Sequence, residues 1–154
     1  MNIGAKSIES RKRTAVVSAV QPVLGRVHTL KPNRIEAELL SGVQITDEAS
    51  LRLAASRLLE TGLHRVFISL GTQGVFAADQ KEMLMQPCLP AQMRNATGAG
   101  DAFMAALAWA YLEGTALAET ARAAAAAAAI AIEGEETINP AMSADAVRSR
   151  MAAK

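Results

Sequence analysis

Arg65-Val66-Phe67-Ile68-Ser69-Leu70 leads directly into Gly71-Thr72-Gln73-Gly74 and then Val75-Phe76-Ala77-Ala78. The first run is apolar without alternation, the pattern of a strand buried on both faces of a parallel sheet. Glycines at 71 and 74 mark a tight turn, so the second run reads as another strand. Toward the N-terminus, Gly62 ends a predicted helix capped by Thr46, whose apolar face is Leu51, Ala54, Ala55, Leu58 and Leu59. An earlier helix is predicted from Asn33 to about Leu40, ending at Gly42. Residues 26–30 and 15–20 read as short strands, and residues 1–14 show no periodicity.

Downstream, residues 81–86 form a further strand candidate before Pro87. Helices are predicted from the Gly98–Asp101 loop to Glu113, from about Leu117 to Ile132, and from Ser143. The seven alanines Ala123–Ala129 read as a tightly packed core helix, because alanine favours helix and lets neighbours approach closely. Strands alternating with helices indicate an α/β layer fold with a mostly parallel sheet. Residues 1–25 are read as a divergent or partly ordered N-terminal segment and 26–154 as the main domain.

A chain of 154 residues suffices for one domain with a hydrophobic core. Sixteen basic residues against fifteen acidic ones remove the electrostatic case for a nucleic-acid or membrane partner. The basic cluster Arg11-Lys12-Arg13 reads as a solvated turn or frayed terminus. A single cysteine, Cys88, excludes an internal disulfide, and with no positioned base in view it reads as inert. No apolar run reaches spanning length and residues 1–10 lack a signal-peptide core, so a cytoplasmic protein is expected.

Three segments carry candidate chemistry. In Thr97-Gly98-Ala99-Gly100-Asp101 the backbone N–H groups lie uncovered at a helix start, where the helix dipole favours an anion. Asp101 in the first turn suits a base that takes a hydroxyl proton while those amides stabilise a transferring phosphoryl group. Equally, Thr97 could be a plain N-cap and Asp101 a dipole-stabilising acid. The segment is neither a Walker A loop nor a dinucleotide fingerprint. Asn33 and Glu36, three apart at a helix start, form either a capping box or a carboxylate placed near a phosphate-bound magnesium. Gly71-Thr72-Gln73-Gly74 is either a backbone that a ligand approaches closely or a hairpin turn.

Together and in this order, Asn33-x-x-Glu36, Leu70-Gly71-Thr72-Gln73-Gly74 and Ala96-Thr97-Gly98-Ala99-Gly100-Asp101-Ala102-Phe103 resemble the ribokinase-like (PfkB) carbohydrate kinases, over about residues 26–150. The resemblance implies a three-layer α/β/α fold, of which this chain holds the C-terminal nucleotide-binding portion. It also implies transfer of the ATP γ-phosphate to a sugar or nucleoside hydroxyl. By resemblance, Asp101 is the catalytic base and the amides of Gly98, Ala99 and Gly100 form the anion hole. Asn33 and Glu36 would position Mg2+ and phosphate, Glu36 through water. Thr72, Gly74 and Thr97 would lie beside ATP, and Asn139 where the family closes over adenine. Within the family, His28-Thr29-Leu30-Lys31-Pro32-Asn33 and residues 95–101 look most like pseudouridine kinases.

Two departures stand out. Asn95 occupies a position where many members have an aspartate that helps bind a monovalent cation, which counts against a potassium site. Members are also considerably longer, with their sugar-recognition motifs in an N-terminal half that has no counterpart here. The chain is therefore expected to be a truncated portion that binds ATP or ADP and phosphorylates nothing alone. A catalytically inactive nucleotide-binding or assembly fragment is the alternative. An unpaired strand edge would favour self-association. His28 and His64 are read as structural or surface residues, Met83, Met85, Trp109 and Tyr111 as packing residues, and Glu133, Glu135 and Glu136 as a solvated loop.

Overall fold

The computed structural model describes Ala15 and residues 17–153, so the basic cluster at 11–13 lies outside the described residues. The chain divides into two compact units, Met1–Ser69 with Ala78–Met83, and Leu70–Ala77 with Leu84–Lys154.

In the first unit, Ala15 and residues 17–20 are helical and run into a 3-10 turn at Gln21–Arg26. The strand expected at 15–20 is therefore absent, and that expected at 26–30 shrinks to β1 (Thr29–Leu30). Pro22 supplies the reason: its fixed φ suits the start of a helical turn, and that turn buries Leu24. β-branched content alone misled here. β1 pairs parallel to β2 (Arg65–Ser69), with Thr29 opposite Arg65 and Leu30 opposite Val66.

Between them come α1 (Arg34–Ser41) and α2 (Glu48–Glu60). Gly42 ends α1 in the left-handed region at φ 68°, as expected. α2 begins one residue later than predicted. Asp47, not Thr46, is its cap: the Asp47 side chain accepts from the Ser50 amide, while the Ser50 hydroxyl accepts from the amides of Thr46 and Asp47. Ala54, Ala55 and Leu58 of α2 are fully buried, as are Val66, Phe67 and Ile68 of β2, which explains the unbroken apolar run.

β3 (Val75–Asp79) and β4 (Met83–Gln86) follow, and the sheet order is β1-β2-β3-β4. The Asp79 carboxylate accepts from the amides of Lys81 and Glu82, which tightens the turn between them. Met85 is exposed, unlike the packing residue expected.

The second unit is dominated by α3 (Ala99–Glu113), α4 (Leu117–Glu133) and α5 (Ala144–Ala152), with α4 packed on both others. Six of the seven consecutive alanines of α4 are buried, as the core-helix reading requires. Thr120 is the buried polar residue of α4, and its hydroxyl is satisfied by the Ala116 carbonyl and the Thr115 hydroxyl.

Two residues depart from expectation. Tyr111 is exposed, whereas Trp109 is half-buried under the Arg148 guanidinium at 5.0 Å. Glu133 is not a solvated loop residue: it closes α4 in a two-point pair with Arg150 of α5, at 3.1 and 2.5 Å. That bond holds the Glu133 carboxyl below the usual carboxylate range. Among the described residues no helix is long and apolar enough to cross a membrane.

Candidate active site

The loop before α3 is held open by its glycines. Gly98 is the N-cap residue at φ 88°, and no side chain caps the helix. The reading of Thr97 as a plain N-cap is thereby overturned: the Thr97 amide donates to Asn95 Oδ1 at 2.9 Å, and Gly98 takes the cap position. The first intrahelical bond runs from the Ala102 amide to the Gly98 carbonyl at 2.9 Å. The amides of Gly98, Ala99, Gly100 and Asp101 precede it and have no acceptor within the helix. They lie at the positive end of a helix of fifteen residues, an arrangement suited to a phosphate. Asp101 is exposed in that first turn.

Gly98 is also a packing requirement. A Cβ there would overlap the Thr137 carbonyl oxygen, whereas at Gly100 nothing stands within 4 Å of that position. Asn95 Nδ2 donates to the Glu135 carbonyl at 3.1 Å, and the amides of Arg94 and Asn95 both donate to the Ile132 carbonyl. The 94–98 loop and the 132–137 segment are thus registered by several backbone contacts. Sequence reading found Gly98 but missed Glu135 and Thr137, which take part through carbonyls and leave no side-chain signature.

Asn139 lies in the same unit and is held by its own loop. Its Nδ2 donates to the Ile130 carbonyl at 2.7 Å and its Oδ1 accepts from the Ala141 amide at 2.9 Å. A Cβ on Gly134 would come within 2.8 Å of the Asn139 Cβ. Asn139 also lines a cavity of about 370 Å3 with Ile130, Glu133, Ser149 and Arg150.

Thr72 sits exposed on a 3-10 turn, Gly71–Gln73, closed by the Leu70 amide donating to the Gly74 carbonyl at 2.9 Å. Gly74, at φ 102°, turns the space of its missing Cβ toward the backbone of Gln86 and Pro87. Close backbone packing therefore accounts for this glycine. Cys88 is exposed, with its thiol 3.4 Å from the Gly71 carbonyl.

Asn33 and Glu36 belong to the first unit. They form a reciprocal capping box, the Glu36 carboxylate accepting from the Asn33 amide at 2.8 Å and Asn33 Oδ1 from the Glu36 amide at 2.9 Å. The same unit places His28 and His64 ring on ring, 4.8 Å apart and 7° from parallel. Burial, then the neighbouring charges of His64 and Arg65, lower the His28 pKa.

Among the described residues no group of three or more His, Cys, Asp or Glu could cage a metal ion. Magnesium does not need such a cage, since it keeps several waters and is held by one or two carboxylates and phosphate oxygens. The exposed Glu36 carboxylate is compatible with that outer-sphere role.

A model of the pfkB family carbohydrate kinases matches residues 2–144. Pseudouridine kinase from Escherichia coli (strain K12) is 38% identical over 125 residues, covering 80% of this chain and 40% of its own. Ribokinase from Haemophilus influenzae is 36% identical over 110 residues, covering 71% and 36% respectively. Arabidopsis thaliana ribokinase, solved with ribose and ATP, superposes with a TM-score of 0.78 at 29% identity, over 87% of this chain and 44% of that one. Escherichia coli phosphofructokinase-2, solved with substrates and products, gives 0.76 at 26% identity, over 88% and 44%. The chain thus spans less than half the length of these relatives.

Proposed function

The chain belongs to the pfkB family of carbohydrate kinases, and from that premise we propose that it supplies the nucleotide-binding, phosphoryl-transfer portion of an ATP-dependent sugar or nucleoside kinase. The observation that carries the reading is the uncapped start of α3, with Gly98 in the left-handed region and Asp101 in the first turn. In this reading Asp101 takes the proton of the acceptor hydroxyl as the acceptor oxygen bonds to the γ-phosphorus, while the bond from that phosphorus to the oxygen bridging the β-phosphate breaks and ADP leaves. The amides of Gly98, Ala99 and Gly100 stabilise the charge on the transferred group. Thr72, Gly74, Thr97 and Asn139 flank the nucleotide. Asn33 and Glu36 would hold the hydrated Mg2+ of the nucleotide, which when bound would neutralise phosphate charge. No monovalent-cation site is assigned. The setting is cytoplasmic, and the partners are ATP or ADP and a sugar or nucleoside, with pseudouridine and ribose as the first acceptors to test.

Calorimetry with MgATP and MgADP, followed by a phosphorylation assay on those acceptors, tests the reading. Nucleotide binding is expected, and any turnover should fall about 10²–10⁴-fold in Asp101→Asn. A second reading is a catalytically inactive nucleotide-binding or assembly fragment. Binding without phosphorylation of any acceptor supports that reading. A folded sample that binds neither nucleotide sinks both.

A further inference from the structure

We propose that Asn95 is a positioning residue, whose side-chain amide clasps the 96–98 loop to the 135–137 segment and so sets the direction of the α3 amides. The proposal rests on the nucleotide-site reading above. Asn95 is half-buried and makes two bonds of opposite polarity: Oδ1 accepts from the Thr97 amide at 2.9 Å, and Nδ2 donates to the Glu135 carbonyl at 3.1 Å. Both demands can be met only by a side chain with an acceptor and a donor on one planar group, which also fixes the amide orientation.

Three further contacts share the same registration. The Asn95 and Arg94 amides donate to the Ile132 carbonyl, at 3.1 and 2.7 Å, where α4 ends. Gly98 lies against the Thr137 carbonyl. These are backbone contacts that any residue but proline at 94 and 95 would keep. The Arg94–Glu135 ion pair, 57% and 81% exposed, is screened and adds little. What distinguishes the position is the Asn95 amide, which joins the residue just before Gly98 to the strip that Gly98 rests on.

Aspartate has the same shape but not the same polarity. Ionised at position 95, it keeps the acceptor for Thr97 and sets an oxygen against the Glu135 carbonyl oxygen. Protonated, it regains a donor. Alanine loses both bonds at every pH. The behaviour of these two variants separates a hydrogen-bonded clasp from a residue that merely fills space.

The experiment measures ADP affinity by calorimetry for the unmodified chain, Asn95→Asp and Asn95→Ala, from about pH 8 to about pH 5, in buffer free of sodium and potassium. This range covers the titration of a carboxyl that faces a carbonyl oxygen. Hydrogen exchange of the Thr97 amide is followed in the ligand-free proteins. At the upper pH Asn95→Asp, with one bond lost, should bind about tenfold more weakly, the weight of one net hydrogen bond, and Asn95→Ala, with both lost, at least as weakly. On acidification Asn95→Asp should recover relative to Asn95→Ala. Unchanged affinity in both variants, or two variants that stay parallel across the range, overturns the proposal. If the unmodified chain binds no ADP, the nucleotide-site reading fails on its own. The clasp is then decided by exchange: lost protection of Thr97 in Asn95→Ala supports it, and unchanged protection refutes it.

Discussion

Gly98 holds φ 88° with the Thr137 carbonyl oxygen in the space a Cβ would take, whereas Gly100 is a helical residue with open space at that point. The two glycines of one motif therefore answer to different constraints. Gly98→Ala should cost about 2–4 kcal/mol in urea unfolding, from left-handed strain and backbone overlap, and should weaken nucleotide binding with it. Gly100→Ala should leave stability equal or raised by up to about 1 kcal/mol. Its affinity for MgADP should still fall, because a methyl group would stand where a phosphate approaches the amides. Equal affinity in Gly100→Ala would argue against the cradle. At this scale the sequence was legible in residue type but ambiguous in role. Thr97 read as well for a cap as for a site, and the position of Gly98 removes the cap reading. The histidines offered no clue to their stacking, since His28 and His64 meet through β1 and β2 lying side by side. Because the folded pKa of His28 is lowered, the unfolded chain takes up a proton that the folded chain resists. Stability is then present above the unfolded value and declines as pH falls below it. The melting temperature should drop between about pH 7 and pH 5, and His64→Gln should flatten that slope.

At the scale of the element, α1 opens with a complete capping box, so Asn33 and Glu36 are accounted for without any ligand. A functional role must therefore be detected over and above the cap. Glutamine serves the cap as well as glutamate but carries no charge. Glu36→Gln should change stability by less than about 0.5 kcal/mol. If the carboxylate also orients hydrated magnesium, the gain in ATP affinity on adding Mg2+ should shrink in the variant. An identical gain in both proteins would leave Asn33 and Glu36 as a cap and nothing more. α2, through its apolar periodicity, and α4, through its alanine run, were readable because those signals are local. The 3-10 turn at Gln21–Arg26 was not, because Val20, Val23 and Val27 resemble strand residues and the deciding feature was Pro22. Nor was the Glu133–Arg150 pair, which joins the ends of two helices across a loop.

For the whole molecule, family membership was legible because three short segments occur in a fixed order, while each alone admitted a structural explanation. What stayed hidden was the carbonyl-mediated seam between residues 94–98 and 132–137, where the side-chain pattern carries no information. Among the described residues β1 and β4 are the end strands of the sheet, and β4 carries the exposed Met85. An unpaired strand edge with apolar neighbours tends to recruit another chain. Sedimentation velocity should accordingly show concentration-dependent association, and a constant monomer up to the highest soluble concentration would refute it. The alanine run of α4 has a consequence of another kind. The Ile132 carbonyl, which receives the Arg94 and Asn95 amides, lies three residues beyond Ala129. Adding or removing one alanine would rotate that carbonyl by about 100° and move it about 1.5 Å along the axis. The run itself stays pure alanine through such a change. Its chemistry is interchangeable from one position to the next, but its tally sets the phase in which the end of α4 meets the loop.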